Sequence, residues 1–414
     1  MTTISADSQT GLQTTMLAAL RHPNFRLYFF GQVISLSGTW MQTIAQGWLV
    51  YQLTQSELWL GIVACAAGLP MLLLAPAAGV LVDRVPRRTL LLISQSAQML
   101  LAFTLAALVF AGVAQVAHII ALAFLLGITN ALDAPSRQSI IVDLVGHEDL
   151  NSGIALNAIM FNLSRIIGPA AAGLLLTQVG PAWCFLLNGI SYLGMLIILF
   201  IIHPEAQLQV SGSLAPLRRL KEGLRFARSH PTIAPMLLLA AITSLTTINL
   251  STLLPAFAAE ILQSPAEAYA AMSTGMGIGA VAAAALMTIL GKVFGRGRVV
   301  TAMVVWVMAT GLAVSGTASI PTAVALISLF GFGIILQFVT MNTLIQSVVP
   351  DAFRGRVMSL YTLTFFGVAP FGALALGALA DAISTPSALA VYVLLGGLLS
   401  LAILVRAPQV RALQ

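Results

Sequence analysis

Charge is what this sequence has least of. Only 8% of its 414 residues are Asp, Glu, Lys or Arg, against 59% that are hydrophobic, and the mean hydropathy is +0.98. A soluble domain of this length needs far more polar surface to cover its core, so the apolar surplus must face lipid and the chain is read as an all-α, polytopic membrane protein. Cysteine is nearly absent: Cys65 and Cys184 both fall inside apolar runs, which excludes a disulfide framework and a thiolate metal site. The five histidines are scattered, with no pair at metal-ligand spacing, so neither a metal nor another cofactor is expected. No Gly-x-x-x-x-Gly-Lys-Ser/Thr stretch occurs, which removes a nucleotide-driven machine. Met1 to Leu20 has no charged start followed by a continuous apolar core. A cleaved signal peptide is therefore not expected, and the first span serves as its own insertion signal.

What is present is a series of long apolar runs. Splitting them at charges and turn residues predicts twelve spans, at 28–52, 58–82, 89–112, 116–135, 151–177, 182–202, 234–259, 268–291, 298–318, 322–346, 356–382 and 387–406. The distribution of cations tests this count, because one wrong span would swap the faces of every later loop. Arg21, Arg26, Arg84, Arg87, Arg88, Arg137, Arg218, Arg219, Lys221, Arg225, Arg228, Lys292, Arg296, Arg298, Arg354, Arg356, Arg406 and Arg411 all fall on one face, expected to be cytoplasmic along with both termini. That is 18 of the 19 Lys and Arg, the exception being Arg165 within span 5. Acids mark the other face: Glu57 and Glu267 in loops, Glu260 and Asp381 near span ends. The pI of about 9.8 therefore records topology; cations spread over seven segments make no nucleic-acid surface.

The long polar connection His203 to Pro231 divides six spans from six, giving an N-terminal bundle (1–204), a basic linker (205–231) and a C-terminal bundle (232–414). The halves echo one another. Arg21-His22-Pro23 before span 1 returns as His230-Pro231 before span 7, and Asp149, Gly153 and Pro169 return as Asp351, Gly355 and Pro370, as a duplicated six-helix unit requires.

Between spans 2 and 3 lies Gly79-x-Leu81-Val82-Asp83-Arg84-x-x-Arg87-Arg88-x-x-Leu91. This resembles the signature of the major facilitator superfamily, with Pro86 where that pattern usually has glycine. The resemblance implies two pseudo-symmetric six-helix bundles rocking about a central site. It also implies a conformational gate in which Asp83, with Arg84, Arg87 and Arg88, meets the start of span 11 and its Arg354 and Arg356, whose free amides and charges attract an anion. A second stretch, Ser164 to Gly173, resembles a signature of antiporting exporters; it contains Gly168, Pro169 and Gly173, with Ser164 and Ala172 in place of two glycines. Ordinary close packing of small residues is the competing reading there and in Gly275 to Gly279. The runs Asp133 to Gln138 and Pro350 to Tyr361 resemble the bacterial efflux branch of enterobactin-type siderophore exporters, which implies export of a small organic molecule with proton antiport.

A charge inside a span costs about 2.5 to 3.5 kcal/mol on insertion scales, so Arg165 needs a partner or a polar cavity. Asp133 at the end of span 4 is the expected partner, with Asn157 and Asn162 adding hydrogen bonds. Asp133, Asp381 and Glu260 are the candidate proton-carrying acids. Candidate cavity residues are uncharged polar side chains on apolar helices: Ser35, Thr39, Gln42 and Gln46 at helical spacing on span 1, Asn157 and Asn162 on span 5, the span 1 counterparts Thr243, Thr247 and Asn249 on span 7, Gln337 on span 10 and Tyr361 on span 11. Interhelical bonding is the alternative for the hydroxyl residues. Trp40 and Trp48 beside the stripe, with many Met, suit an amphipathic organic substrate better than a small ion. The expectation is a monomeric secondary transporter of the bacterial cytoplasmic membrane, exporting such a molecule against protons. A facilitator or importer of the same fold is the alternative, and a membrane signalling or scaffold protein a remote one.

Overall fold

A computed structural model describes residues 17–203, 216–262 and 265–413. All secondary structure among them is helical. Twelve long helices run back and forth: α1 Pro23–Thr54, α2 Glu57–Arg84, α3 Arg87–Phe110, α4 Val116–Val145, α5 Leu150–Gln178, α6 Pro181–Ile201, α7 Ile233–Glu260, α8 Pro265–Phe294, α9 Arg296–Ser315, α10 Ile320–Val348, α11 Asp351–Ile383 and α12 Thr385–Arg406. Between α6 and α7 lies a linker helix, Pro216–Ser229. Eleven of the twelve are long and apolar enough to cross a membrane. Helix α1 has the length, 32 residues, but its polar stripe lowers its hydropathy.

Two helices depart from the expected spans. Helix α4 continues to Val145, ten residues past the anticipated end, and carries Pro135 within it. Helix α7 is broken into Ile233–Leu245, a 3-10 turn Thr247–Leu253 and Leu254–Glu260. Asn249 Nδ2 donates to the carbonyls of Ser244 (2.7 Å) and Leu245 (3.2 Å), satisfying acceptors that the break frees. The substituted Pro86 fits its turn. It takes φ −52° at the N-cap of α3, where no amide hydrogen is needed, and its carbonyl accepts from Thr89 N at 2.9 Å.

Helix pairings repeat with a shift of six. Within the first half α1 packs on α5 and α6, α2 on α4, and α3 on α4 and α6; in the second, α7 packs on α11 and α12, α8 on α10, and α9 on α10 and α12. The halves meet along α2 with α11 and along α5 with α8, one pairing being the other moved on by six. This is the two-bundle, pseudo-symmetric arrangement of the major facilitator fold.

The buried core is one body at one end and is divided at the other, where a small further cluster of Ala283, Val299 and Leu336 also lies in the C-terminal half. At the end bearing Glu57, Glu260 and Asp381, residues from both halves, among them Met41, Leu105, Ala172, Phe185, Leu253, Met276, Ile334 and Leu376, form a single apolar cluster. Toward the arginine-rich end this divides into an N-terminal cluster around Phe25, Tyr28, Leu91, Ile140, Met160 and Met195 and a C-terminal cluster around Ile233, Val300, Met341, Val357 and Phe365. The halves are thus packed together at the acid-bearing end and parted at the basic end. The linker helix sits on the C-terminal half: Phe226 stacks on Phe353 at 4.2 Å and Arg356 pairs with Glu222 at 3.3 Å.

Candidate functional site

The polar side chains gather at the depth where the common core divides. On α3 it is Ser94, Gln95 and Gln98 that lie between Leu91 of the N-terminal core and Leu105 of the shared one; on α4, Asn130, Asp133 and Arg137 lie between Ile140 and Ala123. Ser164 and Arg165 occupy the same interval on α5, Asn188, Ser191 and Tyr192 on α6, and Gln337 and Thr340 on α10. This central band lies where the shared apolar core gives way to the separate cores of the two halves.

In the N-terminal half the band is organised on Asp133, which is 1% exposed. The expected pairing with Arg165 is not what forms. Asp133 instead accepts from Arg137 Nε at 2.6 Å, one helical turn on, from Ser94 Oγ at 3.0 Å and from Gln95 Nε2 at 3.1 Å. The sequence reading ended span 4 at 135 and so left Arg137 in a loop; continuation of α4 puts both residues on one helix face. Gln98 donates to Asn130 at 3.0 Å, Asn188 donates to Gln42 at 2.7 Å, and the Thr39 and Tyr192 hydroxyls lie 3.0 Å apart. The stripe on α1 is therefore turned in part toward α6. Ser35 is buried, while Gln46 and Asn157 are half-buried, and Asn162 bonds its own helix at Ala158 O. Four buried atoms of this half have no partner among the described residues, namely Tyr28 OH, Gln32 Nε2 and Oε1, and Gln95 Oε1. Atoms so placed call for water or for a ligand.

The C-terminal half repeats this on a smaller scale. Gln337 Nε2 donates to Thr243 Oγ1 at 3.1 Å, and these two with Thr247 and Ser400 line a cavity of about 10 Å³, room for one water. Thr340 Oγ1 has no partner among the described residues, and Tyr361 donates to Phe338 O at 3.0 Å.

Arg165 stands apart. It is half-buried at the middle of α5, with about 20 Å of helix on either side. Its guanidinium carbon lies 5.6 Å from the centroid of the Trp40 ring, and Trp40 meets Phe161 edge-on at 5.9 Å. Among the described residues it makes no ion pair or hydrogen bond. The small residues explain how it comes to the seam. A Cβ on Gly168 would lie 2.4 Å from Trp40 Cβ and 2.6 Å from Ser37 O; one on Gly277 of α8 would lie 2.7 Å from the Arg165 carbonyl; one on Gly173 would lie 2.6 Å from Ala270 Cβ. Gly168 beside buried Pro169 thus seats α5 on α1, while Gly173 and Gly277 seat α5 on α8. Ser164, one of the two non-glycine replacements, donates to Val33 O at 3.1 Å.

At the basic end the arginines expected at the gate have separate tasks. Arg87 is buried and paired with Asp143 at the end of α4; Arg88 donates to the Leu199 and Phe200 carbonyls in the last turn of α6, at 2.6 and 2.9 Å. Arg84 is exposed, Arg354 pairs with Asp351 within its own helix, and Arg356 holds the linker helix. The Asp83 side chain lies outside the described residues. At the opposite end polar ties cross between the halves. Tyr51 donates to Glu260 at 2.7 Å and Ser56 to Asp381 at 2.6 Å, while Thr385 Oγ1 lies 2.7 Å from Glu57 and 3.0 Å from Glu260. Sequence reasoning takes Glu57 only as a marker of topology, and it missed Asp143, Tyr51, Thr385 and the pair Ser94 and Gln95. Only the last carried a signal, polar residues three and four apart at 94, 95 and 98 in an apolar helix.

Comparison with known proteins agrees with this geometry. The profile of a family described as transmembrane secretion effector matches residues 14–414. The staphyloferrin A transporter of Staphylococcus aureus is 25% identical over 358 residues, covering 86% of this chain and 89% of its own. The enterobactin exporter EntS of Shigella boydii is 26% identical over 401 residues, covering 93% and 92%. Among solved structures, a mutant of the nucleoside transporter NupG superposes with a TM-score of 0.77 at 14% identity, over 93% of this chain and 99% of that one. A bacterial homologue of the iron transporter ferroportin, in an inward-facing state, gives 0.72 at 16% identity over 94% and 99%.

Proposed function

Since the chain belongs to the transmembrane secretion effector family of the major facilitator superfamily, it is a multi-pass membrane transporter and not an enzyme, and we propose that it exports a small amphipathic organic molecule, siderophore-like or drug-like, from the bacterial cytoplasm by alternating access. One observation carries the mechanism: the apolar core is continuous across both halves at the acid-bearing end and divided at the basic end. Packed core that can part at one end while joined at the other is what a rocking transporter needs, with its site where the core divides. All the cations but Arg137 and Arg165 of the central band lie at the divided end, which supports that end, and both termini, facing the cytoplasm, so the conformation described is inward-facing. The names of the two relatives support the siderophore class for the substrate, and the name of one of them supports export.

Proton antiport supplies the driving force in this reading, with the buried Asp133 as the titratable acid of the central band. When the halves rock to the outward-facing state the basic ends come together. Asp83 then meets the start of α11 and latches that state, while Arg354 and Arg356 flank it. Purified protein in proteoliposomes, loaded with radiolabelled siderophore and given an imposed pH gradient, tests the whole. Export that rises with the gradient is expected, and counterflow indifferent to the gradient would leave a facilitator of the same fold.

A further inference from the structure

Resting on the export reading, the structure assigns a substrate-anion site: Arg165, stacked on Trp40 at mid-depth where the halves meet, binds a planar oxyanion, carboxylate or catecholate in type, on a substrate whose apolar body lies against Trp40 and Phe161. A guanidinium in the middle of a membrane helix needs a counter-anion or ample water. Of the other cations only Arg137 reaches the central band, and it is paired there with Asp133. The acid that sequence spacing offers, Asp133, is taken up by Arg137, Ser94 and Gln95. Arg165 is thus charged, half-buried and, among the described residues, without a carboxylate. The protein has instead given it an aromatic face: the guanidinium carbon lies over the Trp40 ring, 5.6 Å from its centroid, a contact that satisfies none of its N–H donors. A fixed guanidinium fork matches the two oxygens of a planar oxyanion, and water-poor surroundings make each charge-assisted bond stronger than in solvent.

Position argues the same way. On α5, Arg165 lies between Met160 of the N-terminal core and Ala172 of the shared core, and its carbonyl sits where Gly277 of α8 crosses. An anion bound there is at the depth where the shared core divides and touches the seam along which the halves rock. Substrate charge therefore bears on the moving interface directly. A neutral molecule of the same shape would leave the guanidinium uncompensated.

Trp40 supplies the readout. With Trp48, Trp59, Trp183 and Trp306 replaced by phenylalanine, the indole fluorescence of the remaining Trp40 is titrated in lipid nanodiscs with 3-phenylpropionate and with its neutral amide, 3-phenylpropanamide, at no pH gradient. The acid is expected to bind at least tenfold tighter than the amide. Arg165→Lys, which keeps the charge but loses the fork, should keep a reduced preference. Arg165→Gln should bind acid and amide equally and melt no lower than the parent, because it removes a charge that lacks a protein partner. Equal binding of acid and amide to the parent, or a preference that survives in Arg165→Gln, overturns the proposal. So does a lowered melting temperature in Arg165→Gln, which would give the arginine a structural role. Binding is read without transport, so failure of export or of proton coupling leaves this result standing, and the reverse holds too.

Discussion

Glutamine in place of Glu57 should hold the acid-bearing end shut at a pH that opens it in the unaltered protein. Thr385 Oγ1 lies 2.7 Å from Glu57 Oε1 and 3.0 Å from Glu260 Oε2, yet a hydroxyl has one proton to donate. Both contacts are hydrogen bonds only if one carboxyl is protonated, since the Glu57 and Glu260 carboxyls share this one hydroxyl. No Lys or Arg lies at this end to neutralise them. The other titratable groups here are Tyr51 on α1, which donates to Glu260 Oε1, Asp381 on α11, held by Ser56, the exposed Glu267 on α8, and His118, which accepts from Gln115 N at the start of α4. One added proton completes the set. Opening moves Glu57 away from Glu260 on α7 and Thr385 on α12, so two separated carboxylates give that proton up. The closed end holds one proton more than the open end, and closure is therefore favoured at low pH and lost as pH rises. The open-to-closed ratio should grow by up to about tenfold, roughly 1.4 kcal/mol, per pH unit while the proton is exchanged. Nitroxides at Val113 and Ala318, on loops of different halves at this end, report the separation by pulsed electron resonance in a Cys65→Ala, Cys184→Ala background. Glu57→Gln keeps a donor for Thr385 and cannot ionise, so its distances should stay short and flat with pH. Asp381→Asn should keep the slope. A pH-independent distance in the parent, or an unchanged slope in Glu57→Gln, refutes the proton count.

The remaining predictions concern the frame around the site. Arg87→Ala removes the buried ion-pair partner that Arg87 gives Asp143, and chemical denaturation should show a loss of up to about 3 to 5 kcal/mol from the N-terminal half. Gly168→Ala puts a methyl group within 2.4 Å of Trp40 Cβ and should lower the melting temperature, whereas Gly194→Ala, with open space around its added carbon, should leave it unchanged. Asp83→Asn should slow transport while leaving substrate affinity in detergent intact. Lost affinity in that variant would move Asp83 from a latch into the binding site.

Helix count and the duplication were legible because they depend on composition summed over about twenty residues and on cations at loop ends, both local properties. Helix α1 shows the limit of that reasoning: Gln32, Ser35, Thr39, Gln42 and Gln46 lower its hydropathy, and its place in the bundle rests on packing against α5 and α6. Partner choice was the least legible. Asp133 was matched to Arg165 on proximity in the chain, but its ligands are a residue four ahead and two on α3, fixed by how far α4 continues past Pro135. The tie between Glu57 and Thr385 joins positions 328 apart, and no spacing rule reaches that distance.

The distribution of ties between the halves says where the two conformations differ in energy. Along α2 and α11 the seam is backbone against backbone and ring. A Cβ on Gly61 would lie 2.6 Å from Ala373 O, one on Gly68 2.5 Å from the Pro370 ring, and one on Gly377 2.5 Å from Glu57 O. Along α5 and α8, Gly173 and Gly277 do the same against Ala270 and Arg165. At these crossings the surfaces are close and apolar, with no directional bond between the halves among the described residues, so rocking costs them mainly contact, a cost the pseudo-symmetric seam recovers at its other end. Directional polar bonds between the halves are concentrated at Tyr51, Ser56, Glu57, Glu260, Asp381 and Thr385. Bonds to charged groups contribute about 1.5 to 3 kcal/mol each. That small set, with the proton it holds and any anion lodged at Arg165, is therefore enough to set which way the molecule faces, and changes elsewhere along the seams should alter stability more than conformational preference.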